Sequence, residues 1–459
     1  MRTCRPPMAK VQLRERKGEA MPSSRFDRAI HWGRRCAGPL LLIILCPPLV
    51  MLVWYTNVFL EGSVRNLYAL FAQQGVFSTI YAIWKPVFFG TVPAWKMLAL
   101  FVGVELVLMK ILPGKKIQGP MTPKGNTPMY KANGMMSFLF TVGLFLLGSL
   151  GLGLFSPGII YDHLGGLLGT LNLFSLVFCL FLYFKGRYKP STIDSGTTGG
   201  VIFDYFWGME LHPRLWGWDI KMFTNCRFGM ISWGLILISF AAKQYELYGL
   251  ANSMLIAVAL QLLFVIKFFV WEQGFLQSMD IMHDRAGFCL CWGCMVWVPA
   301  VYTSPALFLV NHPYRLGPLL FLVILLSGIA CIFINYLADR QRQRVRGNNG
   351  QCMIWKRKPE LIFANYKTEW GEERQSLLLV SGWWGVSRHF HYLPEILAAF
   401  FWSMPALFGY YMPYFYLTFL ILLLLDRAYR QERRCAMKYG QDWNEYCKRV
   451  PFRLIPFVY

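Results

Sequence analysis

Apolar runs such as GPLLLIILCPPLVMLVWYTNVF (38–59) and YFYLTFLILLLL (414–425) recur along this 459-residue chain, and they restrict its fold more than any other feature. A helix needs roughly 20 such residues to cross a bilayer, and in hydrocarbon its backbone must satisfy its own hydrogen bonds. The runs predict crossings at about 38–59, 80–112 (one or two passes), 135–156, 163–185, 228–248, 250–272, 287–310 and 316–338, with a further cluster in 393–425. The fold expected is all-α, a multi-pass integral membrane protein with roughly ten transmembrane helices. Charge agrees: only 15% of residues are charged, against ~25% in soluble domains. The first apolar run is too long for a cleaved signal peptide and has no small-residue cleavage site.

Basic residues orient the bundle. About ten Lys and Arg lie in residues 1–37, which form a basic N-terminal segment expected to be disordered and cytosolic. DRQRQRVRGNNG (339–350) and the tail from Asp426 to Tyr459 are assigned to the same side. The net charge of +22 is read as topology and contact with anionic lipid, with no nucleic-acid partner. The twelve cysteines have no framework or zinc spacing. CLCWGC (289–294) lies in an apolar segment, so no metal site is expected. No internal repeat, P-loop or GxGxxG after a strand is present.

Polar groups at membrane depth are costly unless they are paired or functional. They concentrate in GVIFDYFWGMELHPRLWGWDIKMF (200–223), in FFVWEQGFLQSMDIMHDRAGF (268–288), and in the C-terminal third. For the first two, loop ends held by local ion pairs explain the pattern as well as a site does. The third adds SGWWGVSRHFHYLPE (381–395), with two tryptophans, an arginine, two histidines, a tyrosine and a glutamate in fifteen positions. That stretch reads as the wall of a buried pocket.

Four segments carry a family resemblance: FDYFWGMELHPR (203–214), MDIMHDRAGF (279–288), LLLVSGWWGVSRHFHYLPE (377–395) and RRCAMKYGQDWNEYCKRVPFRLIP (433–456). With KANG, TNCRFGM and SFAAKQYE, they make the chain resemble the sterol reductases, membrane enzymes that reduce a sterol double bond with NADPH. The resemblance runs from about residue 38 to Tyr459, so 38–459 is expected to be one sterol reductase transmembrane domain with its NADPH pocket mainly in 339–459. Within the family the chain is most like plant-type members that reduce the 7,8 double bond of 5,7-diene sterols. Animal members tend to carry Asn at the place of His391.

The resemblance implies roles for individual residues. Arg342 and Arg346, one turn apart, match a basic pair that holds the adenosine 2′-phosphate; a topology-setting charge run is the plainer reading of the same residues. Arginine suits the task because its planar fork pairs phosphate oxygens. Leu379 and Trp384 match positions lining the cofactor, and His391 and Tyr392 match a polar pair bonded to it. Cys435, Ala436, Met437, Lys438 and Tyr439 add further contacts, with Lys438 available for phosphate. Gln431 stands where most members carry an acid. It keeps hydrogen-bonding capacity but cannot titrate, and Glu432 points about 100° away on a helix. Tyr446 matches a tyrosine at the nicotinamide end and is the candidate proton donor, with Arg388 and Glu395 as a network behind it. A tyrosine anchoring the tail is the structural alternative.

The resemblance also implies a sterol substrate entering from the bilayer, contact with membrane lipid, room for association with other sterol-pathway enzymes, and an endoplasmic reticulum membrane with the N-terminus cytosolic. The alternatives are reduction of a 14,15 or 24,28 double bond, a membrane S-adenosylmethionine-dependent methyltransferase suggested by RHFHYLPE, a non-catalytic nuclear-envelope scaffold, and a transporter.

Overall fold

The computed structural model describes residues 33–122, 124–367 and 371–458. Nine helices among them are long and apolar enough to cross a membrane. They are α1 (Arg35–Phe59), α2 (Val92–Ile111), α3 (Gly134–Gly151), α4 (Leu164–Tyr188), α5 (Met222–Tyr248), α6 (Asn252–Val270), α7 (Phe288–Val310), α8 (Pro318–Gly347) and, after a shorter α9 (Tyr392–Ser403), α10 (Met412–Tyr439). The all-α, multi-pass architecture read from the apolar runs is the architecture found. Residues 1–32 of the expected basic N-terminal segment lie outside the described residues; its end is already helical from Gly33 and runs on as the first turns of α1.

The stretch 80–112 makes one long crossing. Pro86, Gly90 and Pro93 interrupt it, so that Val76–Trp84 stays a nine-residue helix ahead of α2. The cluster in 393–425 divides at Pro405, Leu407 (φ +57°) and Pro413 into twelve-residue α9 and long α10.

Helix α8 shows how the bundle is tied to the site. Leu319, Leu322, Leu326, Ile329 and Phe333 form an exposed apolar stripe, which suits lipid, while Ile324, Gly328, Ile332, Asn335 and Ala338 are buried. Gly328 permits close approach to α6: an added Cβ would sit 2.5 Å from a Leu260 methyl. At 30 residues the helix is about 45 Å long, beyond the ~30 Å hydrocarbon core. Its surplus carries Arg340, Arg342, Arg344 and Arg346 out of the apolar layer. Helix α10 repeats the device, apolar at its start and basic from Arg427 onward.

A β-hairpin that the apolar pattern did not announce covers this polar end. Strands β1 (Leu361–Lys367) and β2 (Glu373–Leu379) pair antiparallel, Leu361 opposite Leu379 and Lys367 opposite Glu373. Successive strand residues face opposite ways, so the hairpin joins two small cores. Ile362, Ala364 and Leu378 pack with Tyr439, Trp443 and Tyr446, the last two on α11 (Gln441–Arg449). Leu379 packs instead with Val345, Ile354 and Trp384.

Candidate cofactor site

Trp384 is the fixed point of the site. Its indole N–H donates to the Ala338 carbonyl on α8 at 2.9 Å, which pins a ring only 4% exposed. The Arg342 guanidinium lies 4.1 Å from the ring centroid and the His391 ring 4.9 Å from it. His391 in turn packs on Tyr392 at 4.1 Å. Asn335 of α8 donates to the His391 carbonyl at 2.7 Å and accepts a very short hydrogen bond from Lys267 of α6. Residues 391–392 are thereby held from the membrane side. Burial, then Arg342, Arg427 and Lys267, hold the His391 imidazole well below the usual histidine range, so it is neutral. Its Nδ1 is buried without a hydrogen-bond partner among the described residues.

Arg346, one turn beyond Arg342, is exposed and forms no ion pair with any described residue. Arg342 touches Asp339 at 3.5 Å. Cys435 and Tyr446 lie within electrostatic reach of these arginines. Tyr446 is 5% exposed, packs at a tilt on Trp443 with ring centroids 5.1 Å apart, and directs its hydroxyl to the Trp384 carbonyl at a long 3.5 Å. Burial raises its pKa, so the phenol keeps its proton at neutral pH. Lys438 sits 3.8 Å over the Tyr366 ring, and Tyr439 donates to the Ser376 hydroxyl at 3.2 Å.

Arg342, Leu379, Trp384, His391 and Tyr392 thus share one wall, with Arg346, Cys435, Tyr439 and Tyr446 beside it. Gln431 is half-buried on the α10 face that carries Cys435 and Lys438. Ala436 and Met437 turn to the exposed side, Met437 being 77% exposed. Met437, Lys438 and Tyr439 line an open depression of about 560 Å³ against Asn365, Tyr366 and Arg374 of the hairpin.

Two groupings escaped the sequence reading. Glu432 is the hub of an ion cluster, its Oε1 2.7 Å from the buried Arg388 Nε and its Oε2 2.8 Å from Nε of the part-exposed Arg453. Arg388 also donates to the carbonyls of Val450 and Pro451 at 2.7 and 2.9 Å. It is therefore committed to holding the C-terminal tail and does not join Glu395 behind Tyr446. Glu395 is instead attracted to Lys267 and Arg427. The second grouping seats MDIMHDRAGF on α10: Arg427 pairs with Asp280 at 2.8 Å, Arg430 with Asp284 at 3.5 Å, and Arg434 donates to His283 Nδ1 at 2.6 Å. Burial and the Arg434 charge push His283 down to about 3, so it stays a neutral acceptor. A signal was present: acids four apart in one segment match arginines three and four apart in the other.

Whether these residues suit a dinucleotide phosphate can be judged from the donor set. An exposed arginine with no ion pair among the described residues, a second one turn away, a lysine on α10, and buried atoms without partners among those residues at His391 Nδ1 and Ser387 Oγ offer cationic and neutral contacts together. The set fits an anionic, hydrogen-bonding ligand.

The arrangement is a membrane helix bundle that gathers cationic and neutral donors at one polar end. The chain belongs to the Ergosterol biosynthesis ERG4/ERG24 family, which matches residues 44–459. It is 50% identical over 425 residues to the 7-dehydrocholesterol reductase of Arabidopsis thaliana, covering 92% of this chain and 97% of the relative. It is 36% identical over 430 residues to the Delta(14)-sterol reductase of Methylotuvimicrobium alcaliphilum, covering 92% and 94%. With the 7-dehydrocholesterol reductase of Danio rerio it shares 33% over 479 residues, covering 98% and 100%. The chain is a sterol reductase, an oxidoreductase whose chemistry fits a nicotinamide cofactor.

Proposed function

We propose that this protein reduces the 7,8 double bond of a 5,7-diene sterol with NADPH, in the endoplasmic reticulum membrane and with its N-terminus cytosolic. The convergence of Arg342, Arg346, Trp384, His391 and Tyr446 at one aqueous end carries the cofactor assignment. The choice of double bond rests on the relative named 7-dehydrocholesterol reductase at 50% identity, against 36% for the one named Delta(14)-sterol reductase. Reduction at the 14,15 position is the second reading, favoured by the latter.

Bound NADPH supplies the hydride. Arg342 and Arg346 hold the 2′-phosphate, with Lys438 in support. Leu379, Trp384 and Tyr392 shape the wall and exclude water. His391 and Gln431 give uncharged hydrogen bonds, and Cys435 and Tyr439 close the far side. Tyr446 holds its proton at Oη and would give it to position 8 of the sterol, making an allylic cation over positions 5 to 7 that would take hydride at position 7, and the phenolate would regain its proton from water at the polar end. Such a cation survives only where water is excluded and fixed dipoles surround it. The sterol enters from lipid, and other enzymes of the pathway are natural neighbours there.

The test is incubation of membranes holding this protein with a 5,7-diene sterol and NADPH, following loss of the conjugated-diene absorbance. Loss is expected with NADPH. No turnover of the diene, alongside turnover of a 14,15-alkene, would replace this reading with the second.

A further inference from the structure

His389 is unassigned by the family pattern, yet it is the most conspicuous polar group in this region. It is 2% exposed, and neither ring nitrogen has a hydrogen-bond partner among the described residues. A buried imidazole in that state carries a desolvation penalty with nothing to offset it, so its partner is expected to be a molecule that binds there. The ring is not loosely placed. Its backbone N–H donates to the Arg453 carbonyl at 2.9 Å, and it stacks on Tyr392 at 5.5 Å with an interplanar angle of 5°. His391 is 6.5 Å away.

The charges around the ring define what it can bind. Glu432 Oε1 lies 3.8 Å from Nε2, too far for a hydrogen bond but near enough to favour a proton on that nitrogen. Both Glu432 oxygens are already taken, by Arg388 and Arg453. Burial first, then His391, Arg388, Arg342 and Arg453, hold the imidazole well below its usual range, so it is neutral. With the proton on Nε2, Nδ1 is an acceptor. An acceptor has nothing to offer a phosphate that has lost its protons; it needs an N–H or O–H.

We propose that His389 is a further dinucleotide-contacting residue, its Nδ1 accepting a hydrogen bond from an uncharged N–H or O–H of the bound cofactor, a carboxamide or a ribose hydroxyl. Glu432 is then a positioning residue that fixes the tautomer and clamps 388–389 to the tail. This inference rests on the NADPH reading, and it adds a neutral contact to the cationic ones that hold phosphate.

The test uses full-length protein in detergent, with NADPH binding followed by quenching of tryptophan fluorescence and thermal unfolding recorded without dinucleotide. His389→Phe keeps the stacking on Tyr392 and deletes both nitrogens; His389→Asn restores an acceptor near Nδ1. His389→Phe is expected to weaken NADPH binding about ten-fold while leaving the unfolding midpoint unchanged or raised, with His389→Asn recovering much of the affinity. Adenosine 2′,5′-bisphosphate separates the two sources. If the Phe variant binds this fragment normally the contact is to the nicotinamide half, and if it binds the fragment more weakly the contact is to the adenosine half. Unchanged NADPH affinity, with a lowered unfolding midpoint, would overturn the proposal and make His389 a group held by buried water. Should His389→Phe fail to fold, unchanged NADPH affinity in a folded His389→Leu variant overturns it equally. A wild-type protein that binds no nicotinamide dinucleotide sinks the cofactor reading and this inference with it.

Discussion

Two buried arginine–glutamate centres in this protein look alike in composition and differ in what surrounds them. In the membrane half, Arg227 of α5 is fully buried, with Nη1 2.8 Å from Glu272 and Nη2 2.8 Å from the Asn133 side-chain oxygen. Glu272 uses its other oxygen to accept from the Gly134 backbone N–H at 2.9 Å, and Asn133 donates to the carbonyls of Met109 and Leu112. In that trio, Arg227 Nε alone lacks a partner among the described residues. Near the polar end, the Arg388–Glu432–Arg453 cluster is equally well paired, but its neighbours His389, His391 and Ser387 carry buried atoms without a partner among the described residues. The first centre ties helices together through its own members. The second borders groups prepared for a ligand. Pairing of charge is common to both; what the second adds is His389, a buried imidazole with both ring nitrogens unpartnered among the described residues.

The sharpest way to break that contrast is at the first centre. Arg227→Ala leaves Glu272 buried without its counter-charge, which costs about 3–5 kcal/mol. Gly134→Ala attacks the same place, because the new Cβ would lie 2.5 Å from Arg227 Nη1 and 2.7 Å from Glu272 Oε1. Both variants are expected to lose folded protein, seen as a collapsed monodisperse peak in detergent chromatography and a lowered unfolding midpoint. Folded Arg227→Ala with intact stability and abolished NADPH binding would make this centre part of the site.

These two centres were not equally legible in the chain. The spans were, because lipid demands long apolar runs, and α8 and α10 differ from expectation mainly by continuing past the apolar layer. KANG, TNCRFGM and the glutamate of VWEQ stand far apart in sequence, and only the fold shows that they meet at Arg227. Arg342, Trp384 and His391 were legible through the family resemblance, whereas composition alone made the arginines a topology signal. Glu432 was set aside because it points about 100° from position 431; that same angle turns it toward the tail, 2.7 Å from Arg388. The hairpin went unseen because its strands are short and half-exposed, without an apolar run to mark them.

The next effect in size belongs to chemistry. Tyr446→Phe removes one hydroxyl whose only partner among the described residues is a 3.5 Å contact to the Trp384 carbonyl. If that proton is the one transferred, turnover of the diene should fall ~10²–10⁴-fold with NADPH affinity nearly unchanged. A loss of stability with turnover retained would assign Tyr446 to the tail core that it shares with Ile362, Tyr439 and Val450.

Smaller still is the phosphate contact. Arg346→Ala deletes an exposed arginine with no ion pair among the described residues, so folding should be indifferent to it. If it meets the 2′-phosphate, the preference for NADPH over NADH should shrink by about 1.5 kcal/mol, roughly ten-fold. Measured dissociation constants for both dinucleotides check this. An unchanged ratio returns the segment 339–350 to topology alone.

The smallest expected change is the one the family pattern makes most tempting, Gln431→Asp. Position 431 is one helical turn from Arg427 and from Arg434, and an aspartate there would sit among guanidinium groups. Asp280 and His283 already engage those two arginines, but their charge remains and would favour the ionised carboxylate. An ionised aspartate cannot donate a proton at neutral pH, so the substitution would restore an acceptor and a charge without a relay. Turnover should therefore change by no more than a few-fold, and its pH profile should keep its shape. Steady-state rates between about pH 6 and 8, above the ordinary aspartate range, test this directly. A steep rise in turnover with a new acidic limb in the profile would mean that position 431 carries the proton and that Tyr446 does not. A modest, pH-independent change would keep charge on the holding side of the site and neutral groups at its reacting end.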